Sequence, residues 1–257
     1  DTRSIHETSL IVILKLLEKE PDNGIYLDIF RNILIEMEKL LVLDSPDAEK
    51  EADYNVLISM YEKLFRMVPV DLSYRTKIAT LYDEKGRFLM KAGRTEDARQ
   101  SYNMSLSMRD DLIKMGESPL LHEFGIASIK NNLGTLLAQE GQFGDAKTMF
   151  EESLGGYMGL FDRIPDDPAY EYGAALTLNN LAKLLADMDR HEDAKHIYES
   201  ALEIYVGLLK LEPEKVSYKK HAARTLENLA SLLGKMGREE DSLCMYESSR
   251  ELLEEIQ

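Results

Sequence analysis

Apolar residues return along this chain at intervals of three and four, as at Leu226, Leu229 and Leu233, a spacing that lays one apolar stripe along a helix. The helical pattern itself returns every 48 residues. Ala79, Ala127, Ala175 and Ala223 stand one such step apart, and so do Gly86, Gly134, Ala182 and Ala230. Ala98, Ala146, Ala194 and Ser242 form a third column, Tyr102, Phe150, Tyr198 and Tyr246 a fourth, and Asp97, Asp145, Asp193 and Asp241 a fifth. Five columns in one register define an array of repeats. The small residues let two antiparallel helices approach, and the aromatic column is expected to fill the groove between neighbouring units.

The register extends toward the N-terminus. Pro21, Pro69, Pro165 and Pro213 share it, with Glu117 in the remaining slot, as do Tyr26, Tyr74, Tyr170 and Tyr218, with His122. Five helix pairs follow, whose first members begin near residues 27, 75, 123, 171 and 219. Residues 1–22 read as the second helix of a preceding partial repeat, and 27–74 as a degenerate repeat with Glu38 where a small residue is expected. Repeats at 75–122, 123–170, 171–218 and 219–257 complete a single solenoid spanning 1–257. Gly93, Gly141 and Gly237 fall where each first helix should end in the left-handed conformation, with Asp189 in that slot of the fourth unit. The Asp column then puts negative charge in the first turn of the next helix, where the dipole favours it. Gly155 and Gly156 lie inside a long helix, where a kink or local flexibility is expected.

Within a unit, Leu133-Gly134 with Leu137, Ala146 and Phe150 resembles the tetratricopeptide pattern of L-G-x2-Y followed by A-x3-F. Leu181-Ala182 with Leu185, Ala194 and Tyr198 is a second copy, and Tyr82, Gly86, Leu89, Ala98 and Tyr102 a third. The period exceeds the usual 34 residues, with the additions lying between one second helix and the next first helix. Long-repeat archaeal members and the kinesin light-chain domain are similar. The resemblance implies an all-α, right-handed α-solenoid of antiparallel helix pairs, with first helices lining a concave surface that binds protein.

On that reading, with the Ala79 column as position 1, positions 2, 5, 6, 9 and 13 face inward. The resemblance makes Asn132, Asn180 and Asn228 at position 6 candidates for gripping the backbone of an extended peptide. A carboxamide offers one acceptor and two donors, so it can pair with both C=O and N–H. Asn131, Asn179, Thr135, Lys183, Arg224 and Arg87 stand beside them as further candidates. Packing between helices is the competing account of the asparagines. The two-carboxylate clamp of some co-chaperones needs Lys at position 5, where this chain has Asp83, Asn131, Asn179 and Glu227. The groove reads as mixed in sign and acidic toward its N-terminal side, where Asp83 and Glu84 lie.

A formal net charge of −16 opposes nucleic-acid binding and docking on an anionic membrane surface. No apolar run is long enough to span a bilayer and no secretory signal opens the chain. The single Cys244 cannot form an internal disulfide, which points to a cytoplasmic location, and inside a helix it is expected to act as a small buried hydrophobe. The five histidines are scattered, and His191 and His196 are five apart, so no metal site is expected. Nothing supplies nucleophile, base and stabiliser together, and the expectation is a non-catalytic scaffold without cofactor. Its ligand is a protein or peptide. Two further readings stand beside it: a self-assembling solenoid, homo-oligomeric through an occupied groove, or the regulatory arm of a larger protein. The start at Asp1, without Met, is read as that of an excised fragment.

Overall fold

The computed structural model describes residues 2–21, 23–42 and 47–256, leaving Asp1 outside the described residues. They form eleven helices and no strand, an all-α helical repeat fold. The chain divides into two compact units, residues 1–117 and 118–257.

The first unit holds α1 (Thr2–Leu17), α2 (Gly24–Val42), α3 (Asp47–Met67), α4 (Ser73–Lys91) and α5 (Thr95–Lys114). Each packs against the helix that follows it. Leu10, Phe30, Leu34, Leu57, Leu64 and Ile78 form the fully buried centre of its core. Here the repeat motif is least regular. Glu38, in the slot for a small residue, accepts hydrogen bonds from the Tyr61 hydroxyl and from Lys77 Nζ, the latter at 2.8 Å. A buried cation, Arg109, occupies the column that holds Tyr61, Tyr157 and Tyr205 elsewhere. Its guanidinium donates to Ser105 Oγ at 3.3 Å and Thr80 Oγ1 at 3.5 Å, and burial lowers its pKa.

The second unit holds α6 (Pro119–Gln139), α7 (Phe143–Phe161), α8 (Pro168–Asp187), α9 (His191–Leu211), α10 (Val216–Lys235) and α11 (Glu239–Glu254). Here too each helix packs on its successor, and the first helices also touch one another, α6 on α8 and α8 on α10. The glycine column shows why the pairs close. A Cβ on Gly134 would stand 2.7 Å from the Phe150 ring, and one on Gly86 in the first unit 2.6 Å from Tyr102. The aromatic therefore seats first on the small residue of its own pair and not only between units. In the second unit it then reaches the leucines of the next first helix, so that Phe150, Tyr198, Leu181, Leu185, Leu229 and Leu233 share one core. A parallel contact escaped the sequence reading: a Cβ on Gly173 would meet the Tyr157 ring at 2.4 Å.

The turns inside the pairs are alike. Gly93, Gly141 and Gly237 have φ of 75°, 76° and 76°, and Asp189 takes 58° in the same slot. In each turn the next amide reaches back across the helix end, as Arg94 N does to Leu89 O at 2.9 Å and Gln142 N to Leu137 O at 2.9 Å. That paired closure satisfies carbonyls the helix leaves open. The following helix opens on Asp97, Asp145, Asp193 or Asp241 in its first turn. Arg94, Arg190 and Arg238, just ahead of the helix, donate to three of these carboxylates at 2.7, 2.7 and 2.6 Å.

Two expectations are corrected. α7 runs unbroken through Gly155 and Gly156, with Gly156 set where a Cβ would stand 3.0 Å from Ala127 Cβ and Gly155 facing open space. Cys244 is exposed, because α11 turns that side away from the core. No helix among the described residues is long and apolar enough to cross a membrane.

Candidate binding surfaces

The asparagine column is a ladder between helices. Asn180 Nδ2 donates to Asn131 Oδ1 at 2.9 Å, tying α8 to α6. One repeat on, Asn228 Nδ2 donates to Asn179 Oδ1 at 3.0 Å and ties α10 to α8 in the same way. Position 6 of each first helix thus reaches position 5 of the one before it. Thr135 Oγ1 lies 3.5 Å from Asn180 Nδ2 and donates to Asn131 O at 3.1 Å. Asn179 is buried at 2% exposure, so it offers a ligand no open face. Asn180 and Asn228, candidates for gripping a peptide backbone, already have partners for their side-chain nitrogens in the free protein. Asn132 differs, since its Nδ2 is buried without a hydrogen-bond partner. Lys183 and Arg224 project to solvent on the same helices.

The first unit has a cavity of about 890 Å³ on its inward positions. α4 contributes Thr80, Glu84, Arg87 and Lys91, which are positions 2, 6, 9 and 13, and α2 contributes Ile35 and Lys39, positions 5 and 9. Arg87 is therefore a groove residue. Leu41, Tyr54, Leu81 and Phe88 supply the apolar floor. Burial of the Tyr54 phenol pushes its pKa up to about 12, so it stays a neutral donor.

The sign of this surface reverses the sequence expectation. Lys39, Lys50, Lys77, Arg87 and Lys91 line the cavity against two carboxylates, Glu38 and Glu84. Glu38 is neutralised by Lys77 at 2.8 Å. Burial raises the Glu84 pKa, partly offset by Arg87. Asp83, counted as a groove acid, is buried, its carboxylate 3.9 Å from Arg87. Lys50 and Lys91 have no ion-pair partner among the described residues. Reading α4 by itself missed the lysines of α2 and α3, which the fold brings to the same cavity. Among the described residues no group of three or more His, Cys, Asp or Glu could hold a metal ion. His191 lies at a turn, 3.7 Å from Asp189.

Paired helices with a small-residue column under an aromatic one define a class of helical repeat protein. Residues 126–157 and 174–213 match the tetratricopeptide repeat family model, so the match covers parts of α6 to α9 in the second unit. Among solved structures it is similar to BtubC (BKLC) from P. vanneervenii, with 17% identity and a TM-score of 0.66 over 98% of this chain and 90% of that one. It is also similar to a putative kinesin light chain with nearly identical TPR-like repeats from Podosopora anserina, with 13% identity and a TM-score of 0.51 over 87% of this chain and 96% of that one. At these identities the likeness is one of fold. No curated protein matches the sequence. Repeats of this type are generally protein-interaction scaffolds.

Proposed function

We propose that this chain is a non-catalytic interaction module that holds a segment of a partner protein in the groove of its first unit. The observation that carries the reading is the cavity between α2, α3 and α4, where five cations ring an apolar floor in a chain of net charge −16. Such a surface favours a segment that pairs carboxylates with a bulky apolar anchor. The anchor would cover Leu81 and Phe88, and the carboxylates would meet Lys50, Arg87 and Lys91. A volume of about 890 Å³ is ample for several side chains. The overall negative charge slows encounter with an acidic partner at long range, so affinity has to come from these local contacts.

The asparagine ladder supports this groove indirectly. With Asn180 and Asn228 engaged between helices, a peptide would have to break existing hydrogen bonds to use them. Lys50 and Lys91, which have no ion-pair partner among the described residues, carry no such cost. Fluorescence anisotropy with labelled peptides tests the reading. Peptides alternating Glu with Leu and Phe should bind, and peptides of the same apolar content with Lys in place of Glu should not. Equal binding of both sets, or of neither, would remove the basis for this groove as the site.

A further inference from the structure

We propose that Glu84 sets the ligand specificity of the first unit's groove by accepting a hydrogen bond from the partner's anchor, so that the groove selects an aromatic carrying a donor, tyrosine above all. That role rests on the groove being the binding site. Its origin lies in the ladder that ties first helices together in the second unit. There position 6 of one helix donates to position 5 of the helix before it, across 49 residues, as Asn180 does to Asn131 and Asn228 to Asn179. The same step in the first unit joins Glu84 on α4 to Ile35 on α2. An ionised carboxylate only accepts, and an isoleucine side chain neither donates nor accepts, so this rung cannot form. α2 and α4 do not approach one another as α6 and α8 do, and Glu84 and Ile35 both line the cavity instead. Ile35 is left 47% exposed.

Glu84 is the acceptor that the cavity leaves open. The other lining carboxylate, Glu38, already takes hydrogen bonds from Tyr61 and Lys77. Glu84 has no hydrogen bond and no ion pair among the described residues. Burial disfavours its charged form, and Arg87 and Lys77 offset this only in part, from a distance. Its place on α4 puts it in the ligand's path. Leu81, Glu84 and Phe88 all line the cavity and stand three and four residues apart, on one stripe of the helix. An anchor seated on Leu81 and Phe88 therefore lies across the carboxylate between them.

The chemistry of that anchor follows. Covered by leucine or phenylalanine, the carboxylate loses water and gains no partner, and a buried acceptor left unpaired is costly. A ligand carboxylate at the same level would meet Glu84 as a like charge. A ligand lysine could donate, but the five cations around the cavity oppose it. Tyrosine brings a ring for Ile35, Leu81 and Phe88 and a phenol O–H for Glu84, a hydrogen bond strengthened by the acceptor's charge. The ligand's own carboxylates are left to the cations further along. Lys39 stands one turn past Ile35, and Arg87 and Lys91 stand one and two turns past Glu84. A site built to bond a hydroxyl rejects the analogue without it more strongly than an apolar pocket rejects a change of one methylene.

Fluorescence anisotropy on the full chain tests this with two labelled peptides that differ by one oxygen, each placing glutamates around a single central Tyr or Phe. Circular dichroism confirms that each variant is folded. The unaltered protein should bind the Tyr peptide about tenfold more tightly than the Phe peptide. Glu84→Met, which keeps the length of the side chain and removes the acceptor, should bind the two equally. Glu84→Gln, whose amide oxygen still accepts, should keep part of the preference. Equal binding of both peptides by the unaltered chain would overturn the proposal and leave the groove standing as the site. A preference for Tyr that survives in Glu84→Met would do the same. Binding of neither peptide would overturn the groove itself, and the role of Glu84 with it.

Discussion

Two glycines predict opposite responses to the same substitution, and the distances say why. A Cβ on Gly173 would lie 2.4 Å from the Tyr157 ring, so Gly173→Ala must displace a buried aromatic. Overpacking of that kind costs about 1–3 kcal/mol, read as a lower midpoint in urea unfolding. Gly155 faces open space inside α7, so Gly155→Ala should stabilise by about 0.4–1 kcal/mol through the unfolded chain's lost freedom. A destabilised Gly155→Ala would mean that α7 needs that glycine after all. The asparagines show where single-residue reading stops. The 48-residue period aligns Asn132, Asn180 and Asn228 in one column, but the hydrogen bonds run across 49, from Asn180 to Asn131 and from Asn228 to Asn179. Recurrence revealed that the residues matter to the repeat. Which neighbour each amide reaches depends on the offset between packed helices, and no column displays that.

At the scale of elements, the helices follow the register closely because helix, turn and cap all obey the same columns. The positive-φ slot at Gly93, Gly141, Asp189 and Gly237 and the acidic first turns were visible because one residue type does one job. The pairing of Arg94, Arg190 and Arg238 with those acids was equally present in the sequence at a spacing of three, and went unread. The packing of α8 against α9 and α10 carries a pH dependence. The His221 ring sits edge-on to Tyr172 at 5.7 Å, and burial, with Arg224 adding to it, holds its pKa below the usual 6.5. The unfolded chain therefore takes up a proton first as pH falls. Stability conferred by neutral His221 is complete above pH 6.5 and is lost as pH falls through the lower folded value. Thermal melts should show a midpoint declining over that range, and His221→Phe should flatten the decline. An unchanged slope in the variant would place the effect elsewhere.

The second unit is regular, whereas the first departs from the repeat motif, and one of its departures, Glu38, lines the surface proposed to bind. The aromatic and small-residue columns run cleanly through α6 to α10. In the first unit Glu38 replaces a small residue, Arg109 replaces a tyrosine, and lysines from α2, α3 and α4 share one cavity. Net charge of −16 hid that cavity, because composition sums over a surface and cannot report a local reversal of sign. The two candidate surfaces therefore make opposing demands on the same assay. Binding of a labelled Glu-Leu-Phe peptide by the unaltered chain, by Asn180→Ala and by Arg87→Glu/Lys91→Glu is the most direct measurement. The account predicts that Asn180→Ala lowers the melting temperature, by losing a hydrogen bond worth about 0.5–1.5 kcal/mol, and binds as before. The charge-reversed variant should melt near the unaltered chain, since both side chains are exposed, and lose binding at least tenfold. If Asn180→Ala abolishes binding and Arg87→Glu/Lys91→Glu leaves it intact, the groove of the first unit is not the site.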